Sequence, residues 1–216
     1  AAGTLVRAGS SLPQTVAVGP LFHLDTAHFQ QGFARYEVMG SDGLVVAKGA
    51  DLRVTMPVLQ ADFAVARALA SGADPRAALA PWVPPLFAED VEKGLLTQRG
   101  GADLVLTAGS QRSMTEGGET PTLAVAEGAR VEVDAGHSIV LNGNGQINID
   151  GELRAPGGHI GVYGLGFGND DAGHLQGHDG SVWVGNKALL DVTGVAHTAV
   201  DERGRRYGAV LDGGHI

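Results

Sequence analysis

Apolar residues recur at alternate positions along this chain, in runs of three to five, as in Val131-Glu-Val133 and Ile147-Asn-Ile149. Such period-two runs predict short β-strands with one buried face. Glycine-rich corners precede many of them: Gly100-Gly-Ala-Asp-Leu104, Gly136-His-Ser-Ile139, Gly-Gly-His159-Ile160, Asp179-Gly-Ser-Val182 and Gly213-Gly-His215-Ile216. A nonamer, Val46-Ala-Lys-Gly-Ala-Asp-Leu-Arg-Val54, lies almost residue for residue on Val125-Ala-Glu-Gly-Ala-Arg-Val-Glu-Val133. Val184-Gly-Asn-Lys-Ala-Leu-Leu-Asp-Val192 follows the same plan. One stretch departs from alternation. Asp62-Phe-Ala-Val-Ala-Arg-Ala-Leu-Ala-Ser-Gly72 joins an N-cap residue to Ala-rich helix formers and a terminal Gly. Asp74-Pro75 offers a second cap with Pro at the first helical position. Together they predict a small helical excursion near residues 59–80.

Taking Leu104, Ile139, Ile160, Val182 and Ile216 as equivalent gives spacings of 35, 21, 22 and 34. The longer two equal the shorter plus an insertion of 13 or 14, placed at Ser110–Pro121 and Ala196–Tyr207. A fixed period of about 21 residues with short strands in each repeat is the mark of a solenoid. The fold expected is therefore all-β: a right-handed parallel β-helix of about 21 residues per coil, since parallel crossovers are right-handed. Residues 1–57 read as irregular coils and 58–99 as a helical, proline-rich excursion packed on them. Residues 100–216 read as regular coils, with extruded loops near 110–121 and 196–207. Glycine at the corners would supply positive φ and let coils approach to about 4.8 Å.

Composition sharpens this picture. Glycine, 34 of 216 residues, is about twice its usual ~7% share, without the three-residue period of collagen. The net charge of −9 repels phosphate backbones and disfavours a nucleic-acid role. No window holds 18 uninterrupted apolar residues, the minimum for a membrane-crossing helix. Without cysteine there is no disulfide, thiolate zinc site or cysteine nucleophile. Lacking an initiator Met and a basic, signal-type start, the chain reads as an interior piece of a longer protein.

Several motifs carry a family resemblance. The run Gly32-Phe-Ala-Arg-Tyr36-Glu-Val38 through Val54-Thr-Met-Pro57 resembles filamentous haemagglutinin-like exoproteins, the secreted partners of bacterial two-partner secretion systems. Trp82-Val-Pro-Pro-Leu-Phe87, Lys93-Gly-Leu-Leu-Thr-Gln-Arg99 and Asp201-Glu-Arg-Gly-Arg-Arg-Tyr207 through Gly214 are similar to that group as well. The resemblance implies a long β-helical shaft, secreted or displayed on the bacterial outer surface, that adheres to host or neighbouring cells without catalysis. It also implies an outer-membrane transporter as partner of the full-length protein. The Asn-Pro-Asn-type motifs of the family's secretion domain are missing, because the chain contains no Asn-Pro. The segment is thus expected to be shaft, with cut ends able to associate end to end.

The alternative is a β-helical domain that binds or cleaves polysaccharides. Cleavage needs clustered carboxylates with a cationic neighbour. Asp134, Asp150, Asp191 and Asp212 stand beside corners, and none is expected to share a slot with an Arg or Lys of the next coil. His174 and His178, with Asn169, Asp170, Asp171 and Asp179, have helical metal spacing, but the interleaved glycines favour a polar corner loop. His159 and His215 are expected on one outer face, two coils and about 10 Å apart, and to begin charging near pH 6. Asn142-Gly-Asn144-Gly145 reads as a left-handed corner with stacked amides rather than a calcium repeat. Gly164-Leu-Gly166-Phe-Gly168 lacks the helix a nucleotide loop requires. Arg203, Arg205 and Arg206 form the one basic patch, in a predicted loop, able to meet an acidic glycan or lipid headgroup. No catalytic, cofactor-binding or metal residue is assigned, and no cofactor is expected.

Overall fold

A computed structural model describes residues 22–109, 121–164 and 181–216. The first strands, β1 (Arg35–Gly40), β2 (Gly43–Val46) and β3 (Asp51–Val54), follow one another around short corners. Two antiparallel hairpins come next. β4 (Val58–Ala61) pairs with β5 (Leu79–Trp82), and β6 (Phe87–Asp90) pairs with β7 (Leu95–Gln98). Three further triplets complete the principal strands. They are β8 (Asp103–Ala108), β9 (Thr122–Val125), β10 (Arg130–Val133); β11 (Ser138–Gly143), β12 (Ile147–Ile149), β13 (Glu152–Arg154); and β14 (His159–Gly164), β15 (Val182–Val184), β16 (Leu189–Asp191). A last hairpin joins β17 (Val195–Val200) to β18 (Arg206–Leu211).

The fold is all-β, and its principal sheets are parallel. Each of three four-stranded sheets takes one strand from every triplet in the same order: β1-β8-β11-β14, β2-β9-β12-β15 and β3-β10-β13-β16. Inward side chains stack in files, such as Tyr36, Leu104, Ile139 and Ile160 in the first sheet. Leu52, Val131, Leu153 and Leu190 form a file in the third. Files from all three sheets meet in one hydrophobic cluster. Each large aliphatic side chain buried there contributes about 1.5–3 kcal/mol.

The nonamers superimpose as written: Val46 aligns with Val125, and both lie in the file that continues through Ile149 to Val184. Gly49 and Gly128 hold the same corner at φ +76°, a conformation that L side chains adopt only with strain. The Asn142–Gly145 corner differs from expectation. Among the described residues no positive φ occurs there. Instead, a Cβ on Gly143 would press within 2.6 Å of Ile147 Cγ1, so the glycine serves close packing. The expected amide stack is absent among the described residues: Asn142 Nδ2 donates instead to the Thr107 hydroxyl at 3.4 Å, and Asn144 Oδ1 is buried without a partner.

Two expectations need correction. Val182 belongs to the second sheet, paired with Ile147, and not with Leu104, Ile139 and Ile160. Ile216 does continue the first file, because His159 and His215 form a parallel bridge. The excursion at 58–99 contains both expected helical elements and adds the four short strands β4–β7. Its helix α1 spans only Phe63–Ala68, capped by Asp62 Oδ1 accepting from Ala64 and Val65, and Asp74–Pro75 opens a single 3₁₀ turn. Ala-rich propensity yields here to the pairing of β4 with β5, which brackets the helix. The segment 196–207 is no loose loop but most of the β17–β18 hairpin, closed by Asp201-Glu-Arg-Gly204-Arg205. Asp201 N donates to Arg205 O, and Gly204 takes φ +75°. This is a type I turn followed by a left-handed glycine. The expected loop at 110–121 lies outside the described residues except for Pro121.

The two ends of the stack differ. Beside β1, a 3₁₀ turn at Thr26–Gln30 seats Phe29, 3% exposed, against Tyr36 with ring centroids 5.6 Å apart. The Tyr36 hydroxyl accepts from the amides of Gln31 and Phe33. At the other end, Val182 and Val184 continue inward files yet are 45% and 56% exposed, and Ile216 is 66% exposed. Among the described residues the core is thus covered at the β1–β3 end and exposed at the end formed by β14–β16.

Candidate functional site

The outward face of the third sheet carries two files of alternating charge. One file runs Asp51, Arg130, Glu152, and its neighbour runs Arg53, Glu132, Arg154, Asp191. Ion pairs close within strands, Arg53–Asp51 at 3.3 Å and Arg154–Glu152 at 2.9 Å, and across strands, Arg154–Asp191 at 3.1 Å. Arg130 and Glu132 also pair. Each surface pair alone is worth little. Together they set register. A one-residue slip would turn buried residues outward, and a two-residue slip of β10 would bring Arg130 against Arg53 or Glu132 against Asp51.

This arrangement overturns the expectation that no Asp shares a slot with a neighbouring cation. Asp191 sits opposite Arg154 in the adjoining strand. Its carboxyl is held below the usual range, first by the Thr193 backbone amide and then by burial-opposed contributions that include Arg154. Asp134 is likewise committed, in a paired contact with Arg99 at 2.6 Å through both nitrogens, the two side chains only 14% and 9% exposed. Asp150 and Asp212 line separate surface depressions. The four carboxylates therefore lie apart, and two are neutralised by arginine.

The insertions build a flank beside these sheets. Phe87, at the start of β6, stacks on His197 of β17 with centroids 5.3 Å apart, and His197 Nε2 lies 2.7 Å from Glu89 Oε1. Gln98 Nε2 donates to Ala135 O, and Arg99 Nε donates to Pro84 O. Pro84 and Phe87 come from the motif Trp82–Phe87, Gln98 and Arg99 from Lys93–Arg99, and the Asp201–Gly214 motif joins the same flank where Glu202 N donates to Val91 O. The basic patch is partly spent: Arg205 is tied to Asp201, whose side chain is 6% exposed.

Asp201 also accepts from the amides of Arg203 and Arg205 through Oδ1. The Arg205 backbone amide is the chief cause of its lowered pKa. A lowered carboxyl contributes stability above its unfolded value and loses it as pH falls through the folded value. The hairpin tip is therefore expected to loosen below about pH 4. Amide exchange should show protection at Arg203 and Arg205 at pH 7 and weaker protection at pH 3. Asp201→Asn, which keeps an acceptor but not the charge, should be weakly protected at both. Equal protection of the native chain at pH 7 and pH 3 would contradict this.

His159 and His215 lie on adjoining strands with ring centroids 4.2 Å apart, not at the expected 10 Å across two repeats. His159 Nδ1 is 3.2 Å from His215 O, and Nε2 is 3.3 Å from the Tyr163 hydroxyl. Among the described residues no cluster of three His, Asp or Glu could hold a metal. His174, His178, Asn169, Asp170, Asp171, Asp179 and Gly166–Gly168 lie outside those residues.

No family model matches the chain, and no curated protein or solved structure matches it.

Proposed function

We propose that this chain is a non-catalytic shaft segment of a secreted or surface-displayed bacterial exoprotein of the filamentous haemagglutinin-like kind. In this reading the three parallel sheets are the faces of a right-handed parallel β-helix, and each triplet is one coil. The observation that carries it is the common strand order of the three sheets, with every triplet contributing one strand to each. Ile139 and Ile160, aligned and 21 residues apart, give the uninterrupted coil length. Longer coils differ by insertions at two corners, after the first and after the third strand.

The mechanism is mechanical. Aliphatic files and backbone hydrogen bonds between coils stiffen the rod, while the flank hairpins project contact surface toward a host or neighbouring cell. The full-length protein would reach the outer surface through its outer-membrane transporter. Val182, Val184 and Ile216 at the open end favour stacking of further coils or end-to-end association with a second copy. Beads coated with the folded chain should be retained on cultured epithelial cells or on a bacterial lawn several-fold more than beads coated with heat-unfolded chain. Equal retention on every surface would count against an adhesive role.

A further inference from the structure

The second sheet has an outward groove that neither the shaft reading nor the charge files explain. Gln146, Asn148 and Asp150 alternate with buried Ile147 and Ile149, so their side chains share the outer face of β12, spaced about 7 Å apart. Trp183 stands opposite Asn148 on the adjoining strand and is 57% exposed. Its indole N–H donates to Ser181 Oγ at 3.0 Å, which satisfies the ring's one polar atom and leaves an apolar face toward solvent. These residues, with Val184 and Gly185, line one open depression.

The polar groups are set in advance. Gln146 Nε2 donates to Asn148 Oδ1 at 2.9 Å, which orients both amides and leaves Asn148 Nδ2 as donor and Gln146 Oε1 as acceptor. Among the described residues no hydrogen bond or ion pair occupies the Asp150 carboxylate. A Cβ on Gly185 would fall 2.0 Å from Asp150 Oδ1, so the glycine makes room for that carboxylate to lie across the groove. Flat aromatic surface beside alternating donors and acceptors is the chemistry that receives a ring with C–H faces and hydroxyl edges. Among the described residues no Lys or Arg lines the depression, and the one charge they bring to it is negative.

We infer that this groove binds a neutral saccharide chain, with Trp183 as the stacking platform, Asn148, Gln146 and Asp150 as hydroxyl partners, and acidic glycans disfavoured by Asp150. The inference deepens the adhesive reading and rests on it for biological purpose, but its chemistry is tested separately. The chain has two tryptophans, so Trp82→Phe leaves Trp183 as the sole tryptophan, which can be excited selectively over the tyrosines. Titration of that variant with maltohexaose, cellohexaose, mannohexaose and hexagalacturonate should give a saturable fluorescence change with a neutral hexasaccharide and none with the acidic one. Adding Asn148→Ala should weaken binding at least tenfold without moving the thermal midpoint. If Trp82→Phe fails to fold, isothermal titration of the native chain against Trp183→Phe reads the same loss. No saturable response to any neutral hexasaccharide, a preference for hexagalacturonate, or affinity unchanged by Asn148→Ala would overturn the site. Cell retention that persists in Trp183→Ala beads would remove the groove as the adhesive element and leave the shaft reading standing. Loss of retention in those beads alone would support both.

Discussion

Ile160→Asp is expected to unfold the parallel sheets. Ile160 is fully buried and pairs directly with Ile139. The substitution forfeits about 1.5–3 kcal/mol of apolar burial. It also places a carboxylate inside the hydrophobic cluster, for a combined cost of at least about 5 kcal/mol. That approaches the whole stability of an ordinary domain, about 5–15 kcal/mol. Gln146→Asp, on the outer face of the neighbouring sheet, should stay within about 0.5 kcal/mol. Circular dichroism at 25 °C should show strand signal lost in the first variant and retained in the second. Equal thermal midpoints would mean that the inward and outward faces have been exchanged.

The second large effect is expected at Gly158. A Cβ there would lie 1.9 Å from the His137 carbonyl oxygen, and a Cβ on Gly214 would lie 1.8 Å from the Gly158 oxygen. Both contacts are with backbone, which cannot swing aside as the end of a side chain could. Gly158→Ala must push adjoining strands apart just where Ser138, His159 and His215 begin their pairing. Overpacking of this kind costs about 1–3 kcal/mol. For a chain of this size that is a fall in midpoint of about 2–12 °C, and the rigid obstruction places it toward the larger end. Gly49 supplies the contrast. It has positive φ but open space around the added Cβ, so Gly49→Asn should cost under about 1 kcal/mol, because Asn tolerates that conformation. A Gly158→Ala midpoint no lower than that of Gly49→Asn would show that strand approach is not what fixes this glycine.

Much of the architecture was legible in the nonamers, because their three apolar positions point inward at the same places in each repeat. Val46, Val125 and Val184 align as the text of the sequence suggests. Val182 misled for a physical reason. First and second strands share the same apolar alternation, and insertions at different corners make a spacing of 22 match one repeat by accident. The nonamer held the remedy, since fixing Val184 beside Val125 puts Val182 in the file of Leu123. The same error hid the groove, whose tryptophan faces Asn148 only when Val182 is placed correctly.

Hairpins were harder to see. β5 contains Pro81, which argues against a strand unless it is an edge, and its partner β4 lies beyond a helix. In β17 and β18 the alternation of Val195, His197 and Ala199 with Tyr207, Ala209 and Leu211 was present, together with the Asp-x-x-Gly turn. The dense charge of the tip, Asp201 through Arg206, has the composition of a solvated loop. The charge files could not be read without register, because Arg154 and Asp191 are 37 residues apart and meet only through strand pairing.

The stacking of coils in this register is the claim on which the shaft depends, and a cysteine pair tests it most directly. The chain has no native cysteine, so any disulfide formed is the engineered one. Thr107 and Asn142 are aligned partners on β8 and β11 with side chains in contact. Thr107→Cys with Asn142→Cys should oxidise in air to an intramolecular disulfide, since aligned Cα atoms lie within the 4.4–6.8 Å that the bond requires. Thr107→Cys with Val140→Cys, offset by two residues on the same face, should stay largely reduced. Preferential oxidation of the offset pair, or of neither, would contradict the stack.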